Sequence, residues 1–276
     1  MEREFLEKCL QNGMSTRDIE KISNLDHRTI SYWITKYGLH NQSVYKKRKN
    51  FSLEKIDTKE KAYTLGYILG DAEINEKSYV NFGCAIADKC ILDYISGIID
   101  ASVKTSYVMD KKNGRFPRAR MSRKIKDITK FTGGKKKEDR HYPRIREDLE
   151  VYMILGFFDA DGCITWGRRK DKNRIWQKIS FTSQYKILEG VQKYLLNKLD
   201  IATSIHPKSG CKCFVLDFSK REDVIRFCEH IYKDKDFIIL KRKYLKYNAL
   251  RLELEENGEG GKCSDNTVPS LQSRKV

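Results

Sequence analysis

The sequence lacks any apolar run long enough to cross a bilayer: beside its most apolar stretch the longest is Met153–Phe158, counting Gly156. A helical membrane span is therefore not expected. Nor is a secretory leader expected, since MEREFLEKCLQNG has no apolar segment after a basic start. Paired metal-binding cysteines are missing too. The eight cysteines (Cys9, Cys84, Cys90, Cys163, Cys211, Cys213, Cys228, Cys263) are scattered, and the only close pair, Cys211 and Cys213 with His206 nearby, has no second pair to complete a zinc site. Reduced, unliganded thiols in an intracellular, cytoplasmic protein are the expectation. Acidic residues are scarce, 38 against 55 basic, which leaves a net charge of +17. That excess bears on partners rather than fold and favours a polyanion, either nucleic acid or an acidic membrane surface.

What the sequence does have is a duplicated apolar motif. VYMILGFFDADGCIT (Val151–Thr165) reads as an apolar helix that ends on Asp159 and Asp161 and stops at Gly162. AYTLGYILGDAEIN (Ala62–Asn75) is a weaker copy, with Gly66 aligned on Gly156, Gly70 on Ala160, and Asp71 on Asp161, a shift of 90 residues. In each copy two small residues lie four apart and share a helix face, where a second backbone can approach closely. The two helices are expected to meet through Gly66, Gly70, Gly156 and Ala160 and to deliver Asp71 and Asp161 side by side.

The surrounding pattern repeats as well. Residues 1–40 read as three short helices in a helix-turn-helix arrangement, with a core of Ile19, Ile22, Leu25, Ile30, Trp33 and Ile34. Asp26 would cap the third helix, and Arg28, Thr29 and Ser31 would be free to enter a DNA groove. A helical cap on the next domain is the plainer alternative. Residues 41–56 form a basic linker containing Lys46–Lys49. From 57 to 147, and again from 148 to 256, the order helix, hairpin, helix, hairpin, helix recurs. In the first half Asp57 would cap the apolar helix and a last helix would cover Lys124–Phe131; in the second a final helix would run from Ile238 to Glu256. Matched segments reinforce the duplication: SRKIKDI (Ser122–Ile128) lies over SKREDVI (Ser219–Ile225). A polar tail, 257–276, is expected to be disordered. The fold class is thus α+β, two pseudo-symmetric αββαββα repeats forming a saddle, with a small all-α N-terminal unit.

These residues resemble the LAGLIDADG homing endonucleases in their single-chain, two-repeat form. The likeness spans about 200 residues, Asp57 to Glu256. ILGFFDADG (Ile154–Gly162) is close to the family pattern, whereas TLGYILGDA (Thr64–Ala72) departs from it at Leu69 and Ala72. YPRIREDL (Tyr142–Leu149) resembles the family's inter-repeat connection. The resemblance implies a site-specific endonuclease that cuts both strands of double-stranded DNA across the minor groove, acting as a monomer with internal pseudo-twofold symmetry. It also implies that Asp71 and Asp161 hold the metal, expected to be Mg2+ with Mn2+ as a substitute. The family's active-site lysine falls on Lys241 in FIILKRK (Phe237–Lys243); in the first half the run Lys135–Lys137 sits at the corresponding place, with Lys137 the leading candidate. Asp88 and Gln184 are lesser candidates for the water network, and either could instead be a helix N-cap.

Sequence readout is expected on the strands. Arg174, Trp176, Lys178, Ser180 and Thr182 alternate with apolar or buried neighbours, Arg169 joins them from the preceding strand, and Arg118 and Arg120 alternate likewise in the first half. Charge agrees: Asp110–Glu147 carries 15 basic and 5 acidic residues. The facing of the hairpin Glu73–Ala87 stays open, with Val80, Phe82, Cys84 and Ile86 buried in one register only. The rival function is a DNA-binding transcriptional regulator on a catalytically silent scaffold of the same kind; an RNA splicing helper is a third.

Overall fold

A computed structural model describes residues 2–11, 14, 16–23, 25–39, 53–100, 105–109, 117–125, 128–169 and 174–256. The basic run Lys46–Lys49, most of the linker and the tail 257–276 lie outside the described residues. The chain divides into two compact units, Met1–Asn50 and Phe51–Val276. Among the described residues no helix is long and apolar enough to cross a membrane.

Among its described residues the first unit holds three helices, α1 (Arg3–Gln11), α2 (Thr16–Ser23) and α3 (His27–Lys36). Asp26 caps α3 by accepting from the Arg28 backbone N–H at 2.6 Å. Leu6, Cys9, Leu10, Ile19 and Ile30 form its core, with Leu25, Trp33 and Ile34 packed against it. Ile22, expected inside, is 56% exposed. Leu6, Cys9 and Leu10 of α1 already fill the space against Ile19 and Ile30.

The second unit is built around two helices. α4 (Lys59–Gly70) has buried residues without a break from Ala62 to Gly70, and α7 (Glu147–Asp161) from Val151 to Asp159. Helices apolar on every side belong at the centre of a fold. They meet through glycine, and they do so reciprocally. A Cβ on Gly66 would lie 1.9 Å from the Met153 carbonyl oxygen, and one on Gly156 would lie 2.1 Å from that of Tyr63. Met153 and Tyr63 are themselves 90 residues apart, so the contact is its own image under the duplication.

Each central helix carries a four-stranded antiparallel sheet. The first half contributes β1 (Glu73–Ile74), β2 (Tyr79–Ala85), α5 (Lys89–Asp100), β3 (Ser106–Met109), β4 (Pro117–Lys124) and α6 (Ile128–Thr132). The second contributes β5 (Gly162–Arg169), β6 (Arg174–Ser183), α8 (Tyr185–Leu199), β7 (Ser204–Pro207), β8 (Phe214–Phe218) and α9 (Arg221–Ile231), followed by α10 (Lys241–Glu256). The strand orders, β1-β2-β4-β3 and β5-β6-β8-β7, correspond. So do the registers: Gly83 pairs with Arg120, and Ser180 pairs with Asp217, each 97 residues further on. Both halves are αββαββα, and α10 is an addition to the repeat.

Four local expectations are corrected, and the facing of the first hairpin, open in the sequence, is decided. Thr58, not Asp57, caps α4, accepting from Lys61 N at 3.3 Å, while Asp57 pairs with the Lys61 ammonium at 2.8 Å. β4 continues through Lys124, which pairs with Tyr79, so the following helix begins only at Ile128. Residues 238–240 are not helical, because Leu240 N donates to the Asp159 carboxylate and the Phe237 ring packs on Tyr63, Tyr94 and Tyr152. Val80, Phe82 and Cys84 are the buried set of the first hairpin, and Ile86 leaves the strand in a 3-10 turn and is exposed. Finally, Cys211 and Cys213 are joined by a disulfide rather than reduced. A tight turn with Gly210 at φ +77° closes the β7–β8 hairpin there and brings their Cα atoms to 5.4 Å.

Candidate active site and polar sheet faces

Asp71 follows the last residue of α4, and Asp161 is the last residue of α7. Between them the helices touch. A Cβ on Gly70 would lie 2.5 Å from the Ala160 Cβ and 3.3 Å from the Asp161 carboxyl carbon. The carboxyl group of Asp161 is pushed up to about 6, first by burial and then by the negative charge of Asp71. Two acids far apart in sequence therefore feel each other at the helix junction. Lys137, Lys243 and Arg140 oppose this shift.

The basic residues divide by position. Lys137 Nζ donates to the Gly70 carbonyl at 2.7 Å, at the end of α4, while Lys135 donates to the Glu76 carbonyl and Lys136 is exposed. Lys241 is the exposed first residue of α10. Two residues later, Lys243 is only 2% exposed and its ammonium donates to three carbonyls: Phe158, Asp159 at 2.9 Å and Gly162 at 2.5 Å. Burial lowers its pKa to about 8. Arg140 is fully buried and donates to Ile68 O at 2.9 Å and Lys135 O at 3.2 Å, and burial lowers it to about 10. Ile68 and Phe158 correspond under the 90-residue shift. Each half thus sends one buried cation to the C-terminal carbonyls of its central helix.

Neither buried cation is among the residues singled out from the sequence. A usable signal is present there, because neither α4 nor α7 has a basic residue in its last turn. Their orphan carbonyls, buried in the fold, must be satisfied from elsewhere in the chain.

Leu69 and Asp159 occupy equivalent positions, and both are buried. The departure of Leu69 from the motif therefore falls in the core, not beside Asp71. Asp159 Oδ2 accepts from Tyr63 Oη at 2.8 Å and from Leu240 N at 3.1 Å, and burial pushes its carboxyl group up to about 7. A folded-state pKa above the ordinary value of 3.8 favours the protonated form. Its contribution to stability is present at about pH 4 and is lost as pH rises through about 7. Asp159→Asn removes that dependence. The stability difference between the variant and the parent should move in the variant's favour by on the order of a few kcal/mol between pH 4 and pH 8, measured by urea denaturation without metal. A pH-independent difference would contradict the assignment.

Asp88 accepts from Arg242 Nε at 2.9 and 3.0 Å, tying the first half to the start of α10. Gln184 is the N-cap of α8 and makes no side-chain cap bond.

Each sheet turns one face to the helices and leaves one polar. On the second sheet the polar face carries Cys163, Thr165, Gly167 and Arg169 from β5, and Trp176, Lys178, Ser180 and Thr182 from β6, while Ile175, Gln177, Ile179 and Phe181 are buried. Lys178 pairs with Asp217 at 2.6 Å. On the first sheet Tyr79, Asn81, Arg120, Ser122 and Lys124 share the corresponding face, and Ser122 Oγ donates to Asn81 at 2.6 Å. Arg118 and Arg174 are placed by backbone register alone, opposite Ala85 and Arg169. In the N-terminal unit Arg28 and Ser31 are exposed on α3, and Thr29 is half-buried.

A family model described as a LAGLIDADG-like domain matches residues 148–232. Among solved structures, the fold is similar to the LAGLIDADG meganuclease I-AabMI bound to uncleaved DNA, at 12% identity over 71% of this chain and 92% of that one, with a TM-score of 0.50. The homing endonuclease I-WcaI, bound to its DNA recognition sequence, is similar at 14% identity over 74% of this chain and 92% of its own, with a TM-score of 0.49. A comparison with curated protein sequences finds no match. Residues 148–232 are thus similar to a LAGLIDADG-like domain, and over 71% of its length the chain shares the fold of a LAGLIDADG meganuclease.

Proposed function

We propose that the chain is a site-specific endonuclease that cuts both strands of duplex DNA as a monomer and depends on a divalent cation. The observation that carries this reading is the approach of Asp71 and Asp161 at the junction of two duplicated helices, where burial and then the charge of Asp71 raise the cost of ionising Asp161. Such a pair fits a hard divalent cation: both donors are carboxylate oxygens, and their mutual repulsion is relieved by positive charge between them. Asp71 and Asp161 would hold Mg2+, or Mn2+ in its place. When bound, the cation would lower the pKa of an attacking water and stabilise the departing oxygen.

The chain's own residues do the rest. Arg140 and Lys243 hold the helix ends that carry the aspartates, and Lys137 brings a further positive charge to the end of α4. The polar sheet faces, with Arg120, Arg169, Trp176, Lys178, Ser180 and Thr182, would meet base edges in the major groove. Arg118 and Arg174 would join them, and Lys241 would approach a phosphate from the start of α10. Arg28, Thr29 and Ser31 of the N-terminal unit would extend the footprint as a helix-turn-helix. Homing, by an intron-borne or a free-standing gene, is the biological setting that goes with this proposal.

Incubation with a randomised duplex library and Mg2+ tests the reading: discrete double-strand breaks that EDTA abolishes are expected. Sequence-selective binding without breaks would instead fit a DNA-binding regulator on a silent scaffold. A second expectation concerns residues 1–50, which form a compact unit with its own core. Their removal should weaken binding and flatten the dependence of affinity on salt, by about one unit of slope for each phosphate that this unit neutralises. An unchanged slope would exclude a DNA-binding role for it.

A further inference from the structure

Two large aromatic side chains stand out on faces that are otherwise polar and cationic. Trp176 on β6 is 41% exposed, and so is Tyr79 on β2. Single exposed apolar residues are common and need no explanation. These two occupy the same place in the duplication, however. Trp176 lies four residues before Ser180, the partner of Asp217, and Tyr79 lies four residues before Gly83, the partner of Arg120. The shift between them is the 97 residues that relates the two sheets.

Trp176 is also seated. Its β5 partner is Gly167, where a Cβ would lie 3.1 Å from the indole Nε1 and 3.3 Å from Cε2. The indole therefore rests against bare backbone and keeps its outer side open. Around it the face is polar: Thr165 and Lys178 form the adjacent cross-strand pair, and Arg169 lies beyond Gly167 on the same strand. Tyr79 is likewise flanked by Asn81 and paired with Lys124.

A surface of this kind suits a polyanion that presents an apolar group at a defined depth. On the major-groove edges of duplex DNA the bases present polar donors and acceptors, and the one apolar substituent is the C5-methyl of thymine. We infer that Trp176 and Tyr79 each cover a thymine methyl in the major groove, one in each half of the target, and so select thymine at two pseudo-symmetric positions. This inference rests on the DNA-endonuclease reading above.

The test is a uracil scan. The target preferred by the unaltered full-length protein is selected from a duplex library, and each thymine in turn is replaced by uracil, which pairs identically but lacks the methyl. At one position in each half, affinity should fall about fourfold, the worth of one buried methyl. Trp176→Ala should make one of these positions indifferent to the methyl, and Tyr79→Ala the other, whereas Trp176→Phe should retain the preference. Both positions are exposed, so thermal melting should confirm that the alanine variants fold, and the scan on the unaltered protein requires no variant. A protein that binds and cuts its target but responds to uracil nowhere, or whose response is unchanged in Trp176→Ala and Tyr79→Ala, overturns this inference alone. Failure to bind any duplex overturns it together with the endonuclease reading.

Discussion

Asp161→Asn is expected to abolish cleavage, lowering its rate by at least about a thousandfold, while duplex affinity stays within a few-fold of the parent. Asparagine keeps the size of the side chain and removes its charge. In the folded protein Asp161 sits at the end of α7 beside Gly70, and the charge of Asp71 already acts on it. On the proposed reading, loss of one of the two carboxylates would leave a divalent cation with half its protein charge. Lewis-acid and water-activating effects amount to several kcal/mol of barrier, at about 1.4 kcal/mol for each factor of ten. Asp71→Asn should behave in the same way, because the two residues are related by the duplication. Binding is expected to be spared, since the substitution leaves the polar residues of the sheet faces unchanged. Single-turnover cleavage and electrophoretic mobility shifts measure the two quantities, and undiminished cutting by either variant would remove the assignment.

Gly66→Ala and Gly156→Ala should each destabilise the second unit by about 3 kcal/mol or more, at or above the upper end of the range for overpacking. The reason is geometric. The added methyl would fall 1.9 Å from the Met153 carbonyl oxygen in one case and 2.1 Å from that of Tyr63 in the other. Those atoms are backbone within a central helix and cannot turn aside, so the helices themselves must separate. Both substitutions open one interface, and the double variant should therefore cost less than the sum of the singles. Cleavage should fall in step, because the same interface sets the spacing of Asp71 and Asp161. A shift in denaturation midpoint worth less than about 0.5 kcal/mol, the range of ordinary surface substitutions, would contradict this account.

Much of this architecture is legible before any coordinates, for physical reasons. Small residues four apart on two apolar helices admit only a close crossing. Alternation from Arg174 to Ser183 defines a strand with one wet face, and β6 has those bounds. Periodicity is local and survives in one dimension. What escapes it is chemistry supplied from a distance. Lys243 and Arg140 sit among many basic residues in the sequence, and nothing local separates a cation buried on three carbonyls from a solvated one such as Lys241. The segment 238–240 has apolar side chains compatible with helix, yet Asp159 takes up its backbone N–H at Leu240. Ile22 fails in the opposite sense: its spacing from Ile19 is helical, but α1 has already filled the core. Register in the short first hairpin is open in the sequence because two residues of β1 give too little alternation to choose a face. Pairing with β4 chooses it.

The most direct test of the central claim is the location of a bound cation. Crystals of the protein with its DNA target, grown in Mn2+ and measured at the manganese absorption edge, would reveal the ion by its anomalous scattering. The account predicts a peak within coordinating distance of carboxylate oxygens from both Asp71 and Asp161, and its loss or weakening in Asp161→Asn. A cation held elsewhere, with these two side chains binding none, would contradict it.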